Sequence, residues 1–394
     1  ELAGKDSRVV GITPAMASGC GMTILASAMP ERFFDVGIEE EHAVTFSAGL
    51  AAAGMRPFCN IYSSFSQRAY DQIIHDVAMQ KLPVTLCFDR AGLVGEDGAT
   101  HQGAFDLAAY RSIPDVTISA PANELELKNL MYTSLQHEAG PFIIRYPRGL
   151  GEGVDWKNAT PTIYNIGEAE ELLKGSEIAV ICIGPAVNRA LEAAGFNGRV
   201  GVFNFRFLKP LDEQCLQNIC KQYRQIITVE DGCIKGGLFG AVTEYYASKG
   251  VNVRIDGLGV PDEFIFHARQ SQQRAMCGID TAGIFEKKYG YFECRCILPK
   301  GTGLWSAFWI WDGAMSNVDG SGVDGAEIDV FESPFYSAEK GSNSVSSAIH
   351  YDGYGADHKS TTVHRTLVTA NNPYVDFNTY AVEWNADVYI FYIN

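Results

Sequence analysis

The chain reads as two mainly parallel-sheet α/β domains followed by an incomplete all-β segment. Three features predict this. Up to about Lys287, short apolar runs alternate with helical patterns, as expected of strands buried on both faces and joined by crossover helices. Near Lys287 that alternation stops. Beyond it, Trp305, Trp309, Trp311 and Trp384 appear among many Tyr, Asn, Ser and Gly residues, in runs with the period of two that strands require.

The totals narrow the function classes. At 394 residues there is room for two or three domains. A hydrophobic content of 46% and a charged content of 20% suit an ordinary soluble protein. The net charge of −16 argues against nucleic acid or an anionic membrane surface as the main partner. A local basic pocket for a phosphate is still compatible with it. No apolar run approaches the ~18 residues of a membrane span. The ten cysteines form no C-x-x-C pair, and most sit in apolar runs such as AVICIG and TLCF. They read as reduced core residues and predict a cytoplasmic protein. The chain starts mid-pattern at Glu1 without a signal-like segment, which predicts a fragment.

Within residues 1–150, VVGITPAM, RPFCNIYSSF, PVTLCFDRAG, VTISAPAN and PFIIRYPRG read as buried strands. SQRAYDQIIHDVAMQK and ELELKNLMYTSLQHE between them have helical spacing. Ligands of such folds bind beyond the carboxyl ends of the strands, so the following loops should carry the chemistry. One stretch stands out, DVGIEEEHAVTFSAGLAAA over Asp35–Ala53. Glu39, Glu40 and Glu41 suit a helix start, where N–H groups are unpaired and the dipole is positive. Adjacent helical residues point about 100° apart, so one of the three should face the interior. The strand-following loops hold Tyr62, Phe65 and Arg68, then Arg90, Asp97 and His101, then Arg145 and Arg148. Taken singly, Phe65 reads as core, Arg68 and Arg148 as surface charge, and His101 as a capped loop histidine.

Residues 151–168 lapse into a linker, and 169–287 form a second α/β unit. Its strands are EIAVICIG, RVGVFNFRF, QIITVED and VNVRIDGLGV, separated by AVNRALEAAGF, LDEQCLQNICKQY and GGLFGAVTEYYASKG. Gly236 and Gly237 before a helix suit either a phosphate cradle or a tight turn.

Taken together, these segments resemble the 1-deoxy-D-xylulose-5-phosphate synthase family, thiamine diphosphate enzymes related to transketolase. The resemblance implies a pyrimidine-binding fold for 1–150 and the transketolase C-terminal fold for 169–287. It implies that Glu40 contacts the aminopyrimidine of the cofactor and drives its amine toward the imino form that takes the thiazolium proton. It further implies that Phe65 packs on the pyrimidine and that Arg68 is a cofactor-binding residue. Tyr62, Arg90 and Arg148 would hold the substrate phosphate, and Asp97 and His101 would line the reacting end. Arginine suits a phosphate because its planar fork donates two hydrogen bonds at once. The implied substrates are pyruvate and glyceraldehyde 3-phosphate, and the family is homodimeric. Two departures stand out: Glu41 where glutamine is usual, and HARQ in place of His-Gly after the last strand. The family's Mg-binding and diphosphate-binding motif, Gly-Asp-Gly followed by Asn, does not occur in this sequence. The Mg ligands would therefore lie in a first domain that is missing here, which predicts no synthase activity for this chain alone.

Residues 288–394 contain the strand-like runs YGYFECRCILP, GLWSAFWIW, YAVEWNAD and VYIFYIN, with GAEIDVFES between them. A strand's period puts Glu327 and Asp329 on one face, while Glu332, an odd number of positions on, faces away. A one-residue bulge after Asp329 would bring it back. These segments resemble glycoside hydrolase family sixteen, jelly-roll β-glucanases. The resemblance implies Glu327 as nucleophile, Glu332 as acid/base and Asp329 as the carboxylate that tunes the pair. Trp305, Trp309 and Trp311 would be sugar-stacking platforms, His350 would lie in a loop lining the cleft, and a β-glucan would be the partner. Several strands of a complete jelly roll are absent, and FEKKYGYFE serves both halves without a linker. The sequence thus predicts a chimera of two truncated reading frames joined at Lys287 and Lys288.

Overall fold

The computed structural model describes residues 1–195, 198–285, 290–301, 304–311, 315, 318, 320, 326–334, 344–366, 372–384 and 389–393. The chain divides into two compact units, Glu1–Glu286 and Lys287–Asn394. The expected junction at Lys287 and Lys288 lies outside the described residues.

The first unit holds two sheets. Its strands are β1 (Val9–Thr13), β2 (Phe33–Asp35), β3 (Arg56–Tyr62), β4 (Thr85–Asp89), β5 (Thr117–Ser119), β6 (Phe142–Arg145), β7 (Glu170–Leu173), β8 (Ile178–Cys182), β9 (Val200–Asn204), β10 (Phe207–Lys209), β11 (Gln225–Cys233) and β12 (Arg254–Val260). The first sheet has seven strands in the order β10-β5-β6-β4-β3-β1-β2. All its pairings are parallel except that of β10 with β5. The second sheet runs β12-β11-β8-β9-β7, parallel except at β7. β1, β3 and β4 are buried at every residue, which is why they read as continuous apolar runs.

The structure departs from the sequence reading in several places. β10 comes from the second α/β half yet completes the edge of the first sheet. One apolar core accordingly runs from Ile12, Val44 and Phe88 through Phe205 to Tyr246. The expected single helix over SQRAYDQIIHDVAMQK is three pieces: a 3₁₀ turn at Ser66–Ala69, an α turn at Tyr70–Gln72 and a π segment at Ile73–Ala78. Such segments mark strain within a helix. Only Cys59, Cys87, Cys182 and Cys233 are buried; the other six cysteines are half-buried rather than core. Among the described residues no helix is long and apolar enough to cross a membrane.

Both halves meet on one guanidinium. Arg145, at the end of β6, is 3% exposed. It donates through Nε to Asp106 Oδ2 at 2.8 Å and through Nη2 to the backbone carbonyl of Asp231 in β11 at 2.8 Å. Asp106 also accepts from Ser63 Oγ at 3.0 Å.

The second unit is all-β. Strands β13 (Gly290–Cys296), β14 (Trp305–Trp311), β15 (Glu327–Pro334), β16 (Ser344–Tyr351), β17 (Lys359–Thr366), β18 (Asn378–Trp384) and β19 (Tyr389–Ile393) form two antiparallel sheets, β14-β15-β16-β17 and β13-β18-β19. Ile328, Val330, Phe331, Val345, Tyr380 and Val382 form the core.

Replacing Arg145 by Met should destabilise the Glu1–Glu286 unit by about 3–5 kcal/mol, because it strands the Asp106 carboxylate in the interior. Urea unfolding followed by far-UV circular dichroism measures this, and an unchanged midpoint would refute it.

Candidate active sites

In the first unit the site begins at a helix start. The helix Glu40–Ala52 buries Ala43, Val44, Ser47, Ala48 and Ala51 along one face. Of the three adjacent carboxylates, Glu39 is exposed, Glu41 half-buried and Glu40 only 2% exposed. At the first helical position, Glu40 meets the positive end of the helix dipole. Arg68 Nη1 donates to its Oε1 at 2.8 Å. Among the described residues no donor reaches Oε2.

From Arg68 the contacts continue. Its guanidinium stands 5.0 Å from the Phe65 ring centroid, within cation–π range. Phe65 stacks on Tyr62 at 5.7 Å and meets the His101 ring nearly edge-on at 5.3 Å. Arg90 lies 3.8 Å from the Tyr62 centroid. Glu40, Arg68, Phe65, Tyr62, Arg90 and His101 thus form one contiguous chain of contacts. His101 Nδ1 lies 2.9 Å from Thr100 Oγ1.

Arg148 and Asp97 form a separate pair. Arg148 Nε is 3.3 Å from Asp97 Oδ2, and its Nη1 donates to the Val94 carbonyl at 3.1 Å. No contact with Arg90 or Tyr62 is found for Arg148 among the described residues.

The sequence reading overlooked the groups that hold these residues. Asp89, whose carboxyl burial pushes above its usual range, pairs with Arg90 at 3.1 Å. The loop bearing Asp97 and His101 is pinned from the second α/β half. Asp231 Oδ1 accepts from Leu93 N at 2.9 Å, and Gln273 takes both the N–H (2.8 Å) and the carbonyl (3.0 Å) of Gly95. Gln270 Nε2 donates to the carbonyls of Leu93 at 2.6 Å and Arg148 at 3.1 Å. The one available signal was the departure at HARQ, which carries Gln270.

In the second unit, pairing of β14 with β15 shifts by one residue: Phe308 opposes Phe331, but Trp309 opposes Asp329. Val330 is the extra residue, so β15 bulges immediately after Asp329. Glu327, Asp329 and Glu332 then lie opposite Trp311, Trp309 and Ala307. Trp305, Trp309 and Trp311 are 60%, 53% and 52% exposed, and Trp305 Nε1 donates to Glu332 Oε1 at 3.1 Å. His350 is not in a loop; it belongs to β16 and pairs across from Glu327. It faces Asp329 at 3.1 Å because strand pairing carries it there. Burial and the charges of Glu332 and Glu327 push the Asp329 carboxyl up to about 6.

Fold and contacts define the first unit as transketolase-like. Residues 1–153 match the transketolase pyrimidine binding domain, and 167–284 match the transketolase C-terminal domain. Over this region the chain is similar to 1-deoxy-D-xylulose-5-phosphate synthases. The synthase of Phocaeicola vulgatus is 52% identical over 293 residues, covering 73% of this chain and 46% of that protein. That of Aquifex aeolicus is 49% identical over 290 residues, covering 72% and 45%. The chain therefore spans about half the length of the curated relatives it matches. Among solved structures, a split-gene transketolase described as an inactive β4 tetramer aligns with TM-score 0.65 and 25% identity, covering 72% of this chain and 92% of that one. Transketolase of Campylobacter jejuni shares the fold at TM-score 0.56 and 18% identity, covering 72% and 44%. Residues 261–394 match glycosyl hydrolases family 16, a stretch that overlaps the transketolase match.

Asp329 gives the second unit a pH signature. Its folded-state value of about 6 lies above the ordinary 3.8, so its contribution to stability is full below about pH 4 and is lost as the pH rises through 6. Chemical denaturation across pH 4–7 should show this unit weakening over that window. Asp329→Asn should flatten the slope, and an unaltered slope would refute the assignment.

Proposed function

We propose that Glu1–Glu286 forms the pyrimidine-binding half of a thiamine-diphosphate-dependent synthase site, which joins pyruvate to glyceraldehyde 3-phosphate once its diphosphate-binding half is supplied. The observation that carries this reading is Glu40: a carboxylate 2% exposed at a helix start, held through Arg68 to an aromatic and histidine cluster. A protonated ring nitrogen requires such an acceptor, and Oε2 is available for it. The flat face of Phe65 suits the pyrimidine. The residues present therefore fit that end of the cofactor, which when bound supplies the carbanion-stabilising chemistry of decarboxylation and carboligation.

This chain's own groups have separable tasks. Glu40 holds a proton at the ring nitrogen. His101, against Phe65, is placed to move a proton at the substrate carbonyl. Arg90, braced by Asp89 and the Tyr62 ring, offers its guanidinium to the phosphate, with Tyr62 beside it. Arg148 and Asp97 act as a pair, in which the arginine can exchange its carboxylate partner for the phosphate. Ligands for Mg and the diphosphate come from another segment, since the sequence contains no Gly-Asp-Gly run.

The chain alone should turn over no pyruvate. Mixing it with the separately expressed N-terminal portion of the Phocaeicola vulgatus synthase should restore condensation, and Glu40→Gln should lower that rate by roughly 10²–10⁴-fold. Full activity of the Glu40→Gln mixture, or turnover by the chain alone, would refute the reading.

The bulge in β15 favours a second activity in the other unit. It brings Glu327, Asp329 and Glu332 to one face beside exposed tryptophans, the arrangement a retaining β-glucan hydrolase needs for nucleophile and acid/base. Laminarin or mixed-linkage glucan should release reducing ends, and Glu332→Gln should cut the rate by roughly 10²-fold or more. Release unaffected by Glu332→Gln would assign it elsewhere.

A further inference from the structure

The acidic face of the four-stranded sheet carries a geometry that glycan cleavage does not require. Glu327, Asp329 and His350 each bring one ligand atom to within 4.8 Å of the other two. Strand register builds the trio. Glu327 lies opposite His350, and Asp329 lies opposite the small Ala348, so the neighbouring imidazole can reach its carboxyl. His350 Nε2 stands 3.1 Å from Asp329 Oδ2. Two ligands on one tetrahedral zinc, each about 2.0–2.1 Å from the metal, lie roughly 3.3 Å apart. The pair therefore already has nearly the separation of shared coordination.

The second ring nitrogen is also accounted for. His350 Nδ1 lies 2.9 Å from His358 Nε2, with the two rings stacked at 5.1 Å. When Nδ1–H donates to His358, the Nε2 lone pair faces the carboxylates. A hydrogen bond at the far nitrogen is the usual way a ligating histidine is held in that tautomer. Glu332 adds a third negative charge, and among the described residues no lysine or arginine pairs with any of the three carboxylates.

We propose that Glu327, Asp329 and His350 bind one divalent transition-metal ion of the zinc and copper class. One imidazole and two carboxylates are the donors such ions take. Magnesium and calcium take oxygen ligands, whereas an imidazole nitrogen suits the transition metals. The bound ion occupies the carboxylates that the glucanase reading assigns to nucleophile and tuner, so metal and glycan exclude one another on this face. Binding itself is the readout, which separates the failure of this proposal from the failure of that reading.

The test uses the full chain without an affinity tag, freed of metal. Zinc titrated by calorimetry should bind at one ion per chain, and at least ~10-fold more weakly in His350→Gln and Glu327→Gln variants that keep the native circular dichroism spectrum. Absence of zinc binding, or full affinity in both variants, overturns the proposal. A second measurement needs no variant. One equivalent of Cu²⁺ on the unaltered chain should show electron paramagnetic resonance coupling to a single imidazole nitrogen. No nitrogen coupling, or coupling to several nitrogens, overturns it as well.

Discussion

Arg145 is where the α/β unit is locked together. Its side chain leaves β6, is lost to solvent, and spends its donors on Asp106, the Gly103 carbonyl and the Asp231 carbonyl. These partners belong to the helix after the site loop, to the loop itself and to the second sheet. A buried guanidinium tolerates such a position only when its charge is matched and its donors are used. Satisfying one cation therefore fixes three segments together, and β10 pairing with β5 repeats the tie through the backbone.

The site loop follows from that lock. Between β4 and the helix starting at Asp106 the chain takes four left-handed turns, at Arg90, Gly92, Gly95 and Gly98. At Gly92 the reason is plain: a Cβ there would stand 2.4 Å from Asp231 Oδ1, the atom that accepts from Leu93 N. Such a loop has little regular hydrogen bonding of its own and is ordered by side chains that reach it. Asp231, Gln270 and Gln273 do so from the second half, and Gln102 reaches back to the Val94 N–H at 2.8 Å from within. The placement of Asp97 and His101 thus depends on residues far away in the sequence.

This explains what could and could not be read from the residues alone. β1, β3, β4, β6, β8 and β11 were legible because burial on both faces makes continuous apolar runs. β2, β7 and β10 were not, being three- or four-residue edges whose partners come from tertiary pairing. β16 and β17 were hidden by serine- and threonine-rich sequences. The bulge in β15 was legible because Asp329 and Glu332 are an odd number of positions apart. The contact between Glu40 and Arg68 was not foreseen: the resemblance named both as cofactor-binding residues without pairing them. Gln273, which holds Gly95, lies in a polar helix that offers no pattern to read. His350 was misplaced in a loop because the serines of its strand, at 344, 346 and 347, obscure the alternation of Val345, Ile349 and Tyr351.

The two acidic sites show that a carboxylate's neighbours decide its use. Glu40 sits at a helix start with one guanidinium on one oxygen, a setting that leaves its other oxygen as an acceptor for a bound base. Asp329 is buried, and the charges of Glu332 and Glu327 beside it add to that, so its carboxyl holds its proton up to about pH 6. The first setting suits a group that keeps a fixed proton in place on something else. The second suits a group that trades a proton, or a cation, with its surroundings. Both are short acidic runs in the sequence, EEE and EIDVFE; what separates them is a helix dipole and an arginine in one case, and a one-residue bulge that crowds like charges in the other.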